Sequence, residues 1–97
     1  KTVMTPEEEV IRAGHAKEVL EHEMFKEAVE TVENVYLSAI RNSAFTDSVT
    51  REKMSLRYSA LHDVLTALKS VLETGMIAEE QIRMTLKQKV KKVINWN

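Results

Sequence analysis

The scarcity of turn-forming residues limits the folds open to this chain. Its 97 residues include only two glycines and one proline, so few positions suit tight turns. Folds built of many short strands need such turns, and the sequence shows no sustained apolar–polar alternation of period two. Apolar residues make up 43% and charged residues 30%, the balance of a globular rather than a disordered chain. The sequence therefore predicts one all-α domain.

The composition also excludes several kinds of chemistry. The chain has no cysteine, which removes disulfides, thiolate metal sites and cysteine nucleophiles. Two isolated glycines cannot build a phosphate-binding loop. No apolar run approaches the roughly 18 residues that span a bilayer, so no membrane partner is expected. Residues 1–6 contain no apolar core of a signal peptide. We predict a protein without enzymatic activity and without a cofactor.

Hydrophobic spacing and capping residues predict three or four helices, over residues 6–20, 24–42, 48–74 and 78–94. Thr5, Pro6 and Glu8 form a strong helix start with a capping box. Residues 21–24 contain neither Gly nor Pro, so the sequence leaves open whether the first two helices are continuous. Thr46 or Asp47 can cap the long third helix, and Gly75 is expected to end it. We predict a three- to four-helix bundle with a long central third helix, divided into a core over residues 1–76 and a basic amphipathic C-terminal helix over residues 77–97.

The third and fourth predicted helices carry more apolar surface than two shorter helices can cover. A heptad-like seam follows the third helix, and a second ridge (Arg57, Ala60, Val64, Ala67, Val71) lies beside it. We expect this surplus surface to contact other copies of the chain or another protein, because homo-oligomers commonly cover such surfaces. The predicted interface consists of Met54, Tyr58, Leu61, Leu65, Leu68, Leu72, Ile82, Leu86, Val90, Val93 and Trp96.

Charge is distributed unevenly along the chain. Residues 1–47 have a net charge of −5 and residues 48–97 a net charge of +4, a polarity that can orient subunits head to tail. Residues 81–97 contain five bases and no acid, and these bases are candidate nucleic-acid contacts beside Trp96. The helix dipole, or the wet rim of a protein interface, explains the same bases equally well. The candidates are Arg83, Lys87, Lys89, Lys91 and Lys92.

Two histidine patterns were weighed as sites of chemistry. His15, Glu18 and His22 share one face if the first helix continues, which would suit zinc, but a charged helix often shows such a triplet and no metal is predicted. His62-Asp63 lies beside Tyr58 on the third helix, without the glycine-rich nucleophile turn of a hydrolase. Neither pattern predicts a catalytic site.

Three motifs resemble a known family over residues 13–78. A leucine, a break and an apolar–aromatic pair stand at residues 20–25. Thr-Asp-x-x-x-Arg-Glu follows at residues 46–52, and Leu-x-x-x-Leu-Glu-x-Gly at residues 68–75. The combination resembles small helical proteins encoded among the virion-assembly genes of tailed bacteriophages.

The resemblance implies a role in a virion or its assembly, in the particle or the cytoplasm of an infected bacterium. Implied partners are further copies of the chain or a capsid, portal or tail protein. The expected function is thus a phage structural or assembly protein acting through helix–helix contacts. The alternative is a subunit like the small DNA-packaging terminase, which would bind nucleic acid through the basic C-terminal helix.

Overall fold

A computed structural model of the chain describes residues 3–94 and shows three helices. Helix α1 spans Pro6–Glu21, α2 spans Glu23–Arg41 and α3 spans Ser48–Ile94. No strand occurs over the described residues. The predicted all-α class and the long third helix are confirmed.

Local hydrogen bonds explain where each helix begins. At α1 the Thr5 backbone N–H donates to Glu8 Oε1 (2.9 Å) and the Glu8 N–H donates to Thr5 Oγ1 (3.2 Å), which is the predicted capping box. The Thr5 backbone, and then its side chain, lowers the pKa of Glu8. At α3 the Thr50 N–H donates to Asp47 Oδ1 (3.1 Å). Hydrogen bonding from the Thr50 side chain, and then from its backbone, lowers the pKa of Asp47.

The first two helices are separate, although no glycine or proline divides them. His22 adopts an extended conformation (φ −68°, ψ 127°), and its Nδ1 accepts a hydrogen bond from the Met24 backbone N–H at 3.1 Å. A side chain that caps the following helix stabilises the break in place of a turn residue. This arrangement answers the question that the sequence left open.

Two expectations about Gly75 and the residues after it are wrong. Gly75 does not end the third helix, and residues 78–94 form no separate fourth helix, because α3 continues through Gly75 to Ile94. Its 47 residues extend about 70 Å at 1.5 Å per residue. Gly75 has no positive φ and is buried. A Cβ built on it would lie 2.0 Å from Ala13 Cβ and 3.0 Å from the Glu9 carbonyl oxygen. Glycine is therefore present because α1 passes too close for a side chain.

The chain forms two compact units. The first joins residues up to Glu18 with residues from Lys69 onward. In it α1 and the later part of α3 run antiparallel, with Ala13, Ala16, Gly75 and Ala78 buried between them. The predicted domain boundary between residues 76 and 77 lies inside this unit and inside α3.

The second unit is Val19–Leu68, in which α2 packs against the earlier part of α3. Its apolar contact is formed by half-buried side chains: Phe25, Val29, Val32, Tyr36, Met54, Tyr58, Leu61, Leu65 and Leu68. The μ-shaped exclusion of water that a large buried core gives is thus incomplete here. None of the three helices has, over the residues described, a segment long and apolar enough to cross a bilayer.

Candidate functional site

The face of α3 that packs against α1 continues as an apolar stripe toward the end of the helix. Gly75 and Ala78 are followed on this face by Ile82, Leu86, Val90 and Val93, at helical spacings of three and four. We call these last four residues the C-terminal stripe. Ile82 is half-buried, whereas Leu86 and Val90 are each 57% exposed and Val93 is 75% exposed. The cover that α1 provides therefore ends near Leu86.

The start of α1 lies where this cover ends. An open groove of about 700 Å³ has Pro6 and Glu7 on one side and residues 80–89 of α3 on the other. Helix α1 begins at Pro6, so it offers no further turn to cover Val90 or Val93. Both side chains are consequently free to contact another surface.

Basic side chains border the C-terminal stripe on both sides. At 100° per residue, Arg83, Lys87 and Lys91 fall on one flank of the stripe and Lys89 on the other, and all are exposed. Arg83 forms an ion pair with Glu80. For the lysines at positions 87, 89, 91 and 92, no carboxylate in the described part of the chain lies within ion-pair distance. The segment is therefore an amphipathic helix with a strongly positive rim.

The predicted seam on the earlier part of α3 is only partly covered. Each of its six residues is half-buried: Met54, Tyr58, Leu61, Leu65, Leu68 and Leu72. The adjacent ridge, which we expected to be covered as well, is largely exposed, with Val64 at 55%. The seam packs within its own chain, and the ridge is left for contacts elsewhere.

A second groove lies in the second unit and was not predicted from the sequence. It encloses about 390 Å³ and has an apolar floor and a mostly acidic rim. The floor is formed by Leu20, Phe25, Val29 and Leu65, and the rim by Lys26, Glu30 and Glu33. We call it the acidic groove. The local charge was a signal, because residues 21–33 contain five glutamates and one lysine, but only the packing of α2 on α3 provides the floor.

The histidines have structural contacts. His62 Nε2 lies 2.8 Å from Glu33 Oε2, which joins α3 to α2, and its ring centre lies 4.4 Å from that of Tyr58. The considered partner Asp63 is exposed. His22 lies beyond the end of α1, so the His15, Glu18 and His22 triplet does not share a helical face. Among the residues described, no group of three potential ligands is arranged for a metal ion.

Sequence reasoning also missed an ordered loop between α2 and α3. Arg51 Nη1 donates to the Ala44 carbonyl oxygen (2.7 Å) and to Ser43 Oγ (3.2 Å), and Nη2 donates to the Phe45 carbonyl oxygen (3.1 Å). The Phe45 side chain is 95% exposed. An aromatic residue in a polar loop was the available signal, and the guanidinium bonds fix the backbone that presents it.

One member of the predicted interface, Trp96, lies outside the described residues. No protein-family model, curated protein or solved structure significantly matches this chain.

Proposed function

We propose that this chain is a non-enzymatic structural subunit that acts through helix–helix contacts with further copies of itself. In this proposal the helices are members of a bundle that is completed by neighbouring chains. The C-terminal stripe and the exposed ridge of α3 are the surfaces that it places in contact.

The supporting observation is the lack of a large buried side chain. Over residues 3–94 the buried apolar residues are Ala13, Ala16 and Ala78, and no large side chain is fully buried. Fully burying one Val, Leu or Phe side chain contributes about 1.5–3 kcal/mol, and a domain's net stability is only about 5–15 kcal/mol. Covering the half-exposed apolar side chains with a second chain therefore offers a large gain.

The resemblance to phage virion-assembly proteins suggests the setting. A small helical subunit with exposed apolar faces suits a repetitive particle, in which the same contact is used many times. We propose that the subunit acts in a phage particle or during its assembly in the infected bacterium, with a capsid, portal or tail protein as a further partner. A mass-spectrometric inventory of the purified particle tests this setting, and absence of the chain from it would contradict a virion role.

Self-association is tested by sedimentation equilibrium over a wide range of protein concentration, together with thermal unfolding at each concentration. We expect a defined oligomer and a Tm that rises with concentration, because association stabilises the folded state by mass action. A monomer at the highest concentration, with a Tm independent of concentration, would overturn the proposal.

The exposed lysines favour a second candidate, a DNA-binding subunit of the packaging machinery. Four of them lack a described carboxylate partner and are available to phosphates. This function requires DNA affinity that falls steeply with salt, and loss of that affinity when positions 87, 89, 91 and 92 are all changed to alanine. No binding at low ionic strength would dismiss it.

A further inference from the structure

We infer that the end of α3 in one copy docks into the acidic groove of a second copy, so that the subunits assemble head to tail. The inference rests on the proposed function and specifies which surfaces meet. It follows from charge, from apolar fit and from the exclusion of the symmetric alternative.

The charges of the two surfaces are opposite. Residues 81–94 contain five bases and no acid, whereas residues 21–33 have a net charge of −4. The bases are exposed, as are Glu23, Glu27 and Glu30. Complementary potentials of this kind speed encounter and select one orientation of the partners.

The apolar parts of the two surfaces also correspond. Leu86, Val90 and Val93 project along about 10 Å of one helical face, with basic side chains on both flanks. The acidic groove has an apolar floor that includes Phe25 and Val29, with carboxylates on its rim. An apolar helix face seated in a groove with a charged rim is a recurrent mode of recognition.

Symmetric pairing of two α3 ends is disfavoured by the same charges. It would bring two segments together that each contain five bases and no acid, and like charges juxtaposed at an interface cost several kcal/mol. A stripe that binds a different surface makes a heterologous contact. Such a contact repeats from subunit to subunit and produces a ring or a filament.

A charge-swap experiment tests the pairing. One variant carries Lys87→Glu and Lys91→Glu, and the other carries Glu27→Lys and Glu30→Lys; Glu33 is left unchanged because it contacts His62. Each variant alone places like charges at the contact, and we expect its association to weaken at least tenfold, about 1.4 kcal/mol. An equimolar mixture restores opposite charges at every contact, so we expect association close to that of the unaltered chain.

The matched control reverses two exposed glutamates outside the groove, Glu52→Lys and Glu73→Lys, and is expected to associate normally. Circular dichroism of every variant checks that the helices are retained. If all variants associate as the unaltered chain does, the docking is overturned while the proposed self-association stands. If the unaltered chain is monomeric, both are overturned.

Directed cross-linking gives an independent readout, because the chain has no cysteine of its own. A mixture of Val90→Cys and Val29→Cys chains is expected to form the mixed disulfide on mild oxidation. The control pairs Val90→Cys with Val35→Cys, which lies on α2, is 58% exposed and does not line the groove. A yield no greater than that of the control, or a dominant Val90→Cys homodimer, contradicts head-to-tail docking.

Discussion

The two glycines of the chain are both helical, but their surroundings are opposite. Gly14 lies on the exposed side of α1, and a Cβ added there would meet nothing within 4 Å. Gly75 lies at the buried contact with Ala13, where a Cβ would clash. The same substitution at the two positions therefore separates helix propensity from packing.

We expect Gly14→Ala to stabilise the protein by about 0.5–1 kcal/mol, because alanine loses less conformational entropy in a helix. Gly75→Ala is expected to destabilise it by about 1–3 kcal/mol, because relieving the overlap with Ala13 must move α1 away. Urea unfolding followed by circular dichroism measures both changes.

The double variant Ala13→Gly, Gly75→Ala removes the Cβ that causes the overlap, and it should recover part of the loss. A stabilising effect of Gly75→Ala alone would show that the two helices are not in close contact in solution.

At the scale of a helix, the caps at Thr5–Glu8 and Asp47 stabilise the starts of α1 and α3. The pKa of Asp47 is lowered in the folded protein, so its contribution is present above the unfolded pKa of about 3.9. That contribution is lost as pH falls through the folded pKa, where protonation removes the charge that accepts the cap hydrogen bonds.

Asparagine retains a side-chain oxygen for capping but does not titrate in this range. We therefore expect Asp47→Asn to show a weaker loss of unfolding free energy than the unaltered chain as pH falls below about 4. Denaturant unfolding from about pH 6 to about pH 2.5 measures the difference between the two proteins. A difference that does not change with pH would mean that the Asp47 charge has no part in the cap.

These elements also show how far the sequence could predict the fold. The seam spacing and the capping box are local patterns, and they correctly indicated the helices and the start of α1. The end of α3 was not predictable locally, because glycine ends a helix only when the chain needs a left-handed residue. Here α1, some sixty residues earlier in the sequence, determines the role of Gly75. The acidic groove escaped prediction for the same reason, since Leu65 of its floor belongs to a different helix from Phe25 and Val29.

At the scale of the whole molecule, α3 is one continuous helix whose cover changes along its length. Residues 75–82 face α1, with Gly75 and Ala78 buried, whereas every residue from 86 to 94 is exposed. Helix formation in water is marginal without tertiary packing, so the last turns depend on whatever covers the C-terminal stripe. Their local stability is therefore a measure of assembly.

Hydrogen–deuterium exchange at two protein concentrations measures that stability directly. In dilute protein we expect the amides of residues 86–94 to exchange close to the unprotected rate and those of residues 75–82 to exchange far more slowly, because regions with few buried contacts open most easily. At high concentration docking adds cover, and residues 86–94 should gain at least about tenfold protection, the same factor as a 1.4 kcal/mol change. Gly75→Ala should speed exchange at residues 75–82, because it disturbs the contact with α1. Lys87→Glu with Lys91→Glu should abolish only the gain that depends on concentration, which separates folding of the subunit from its assembly.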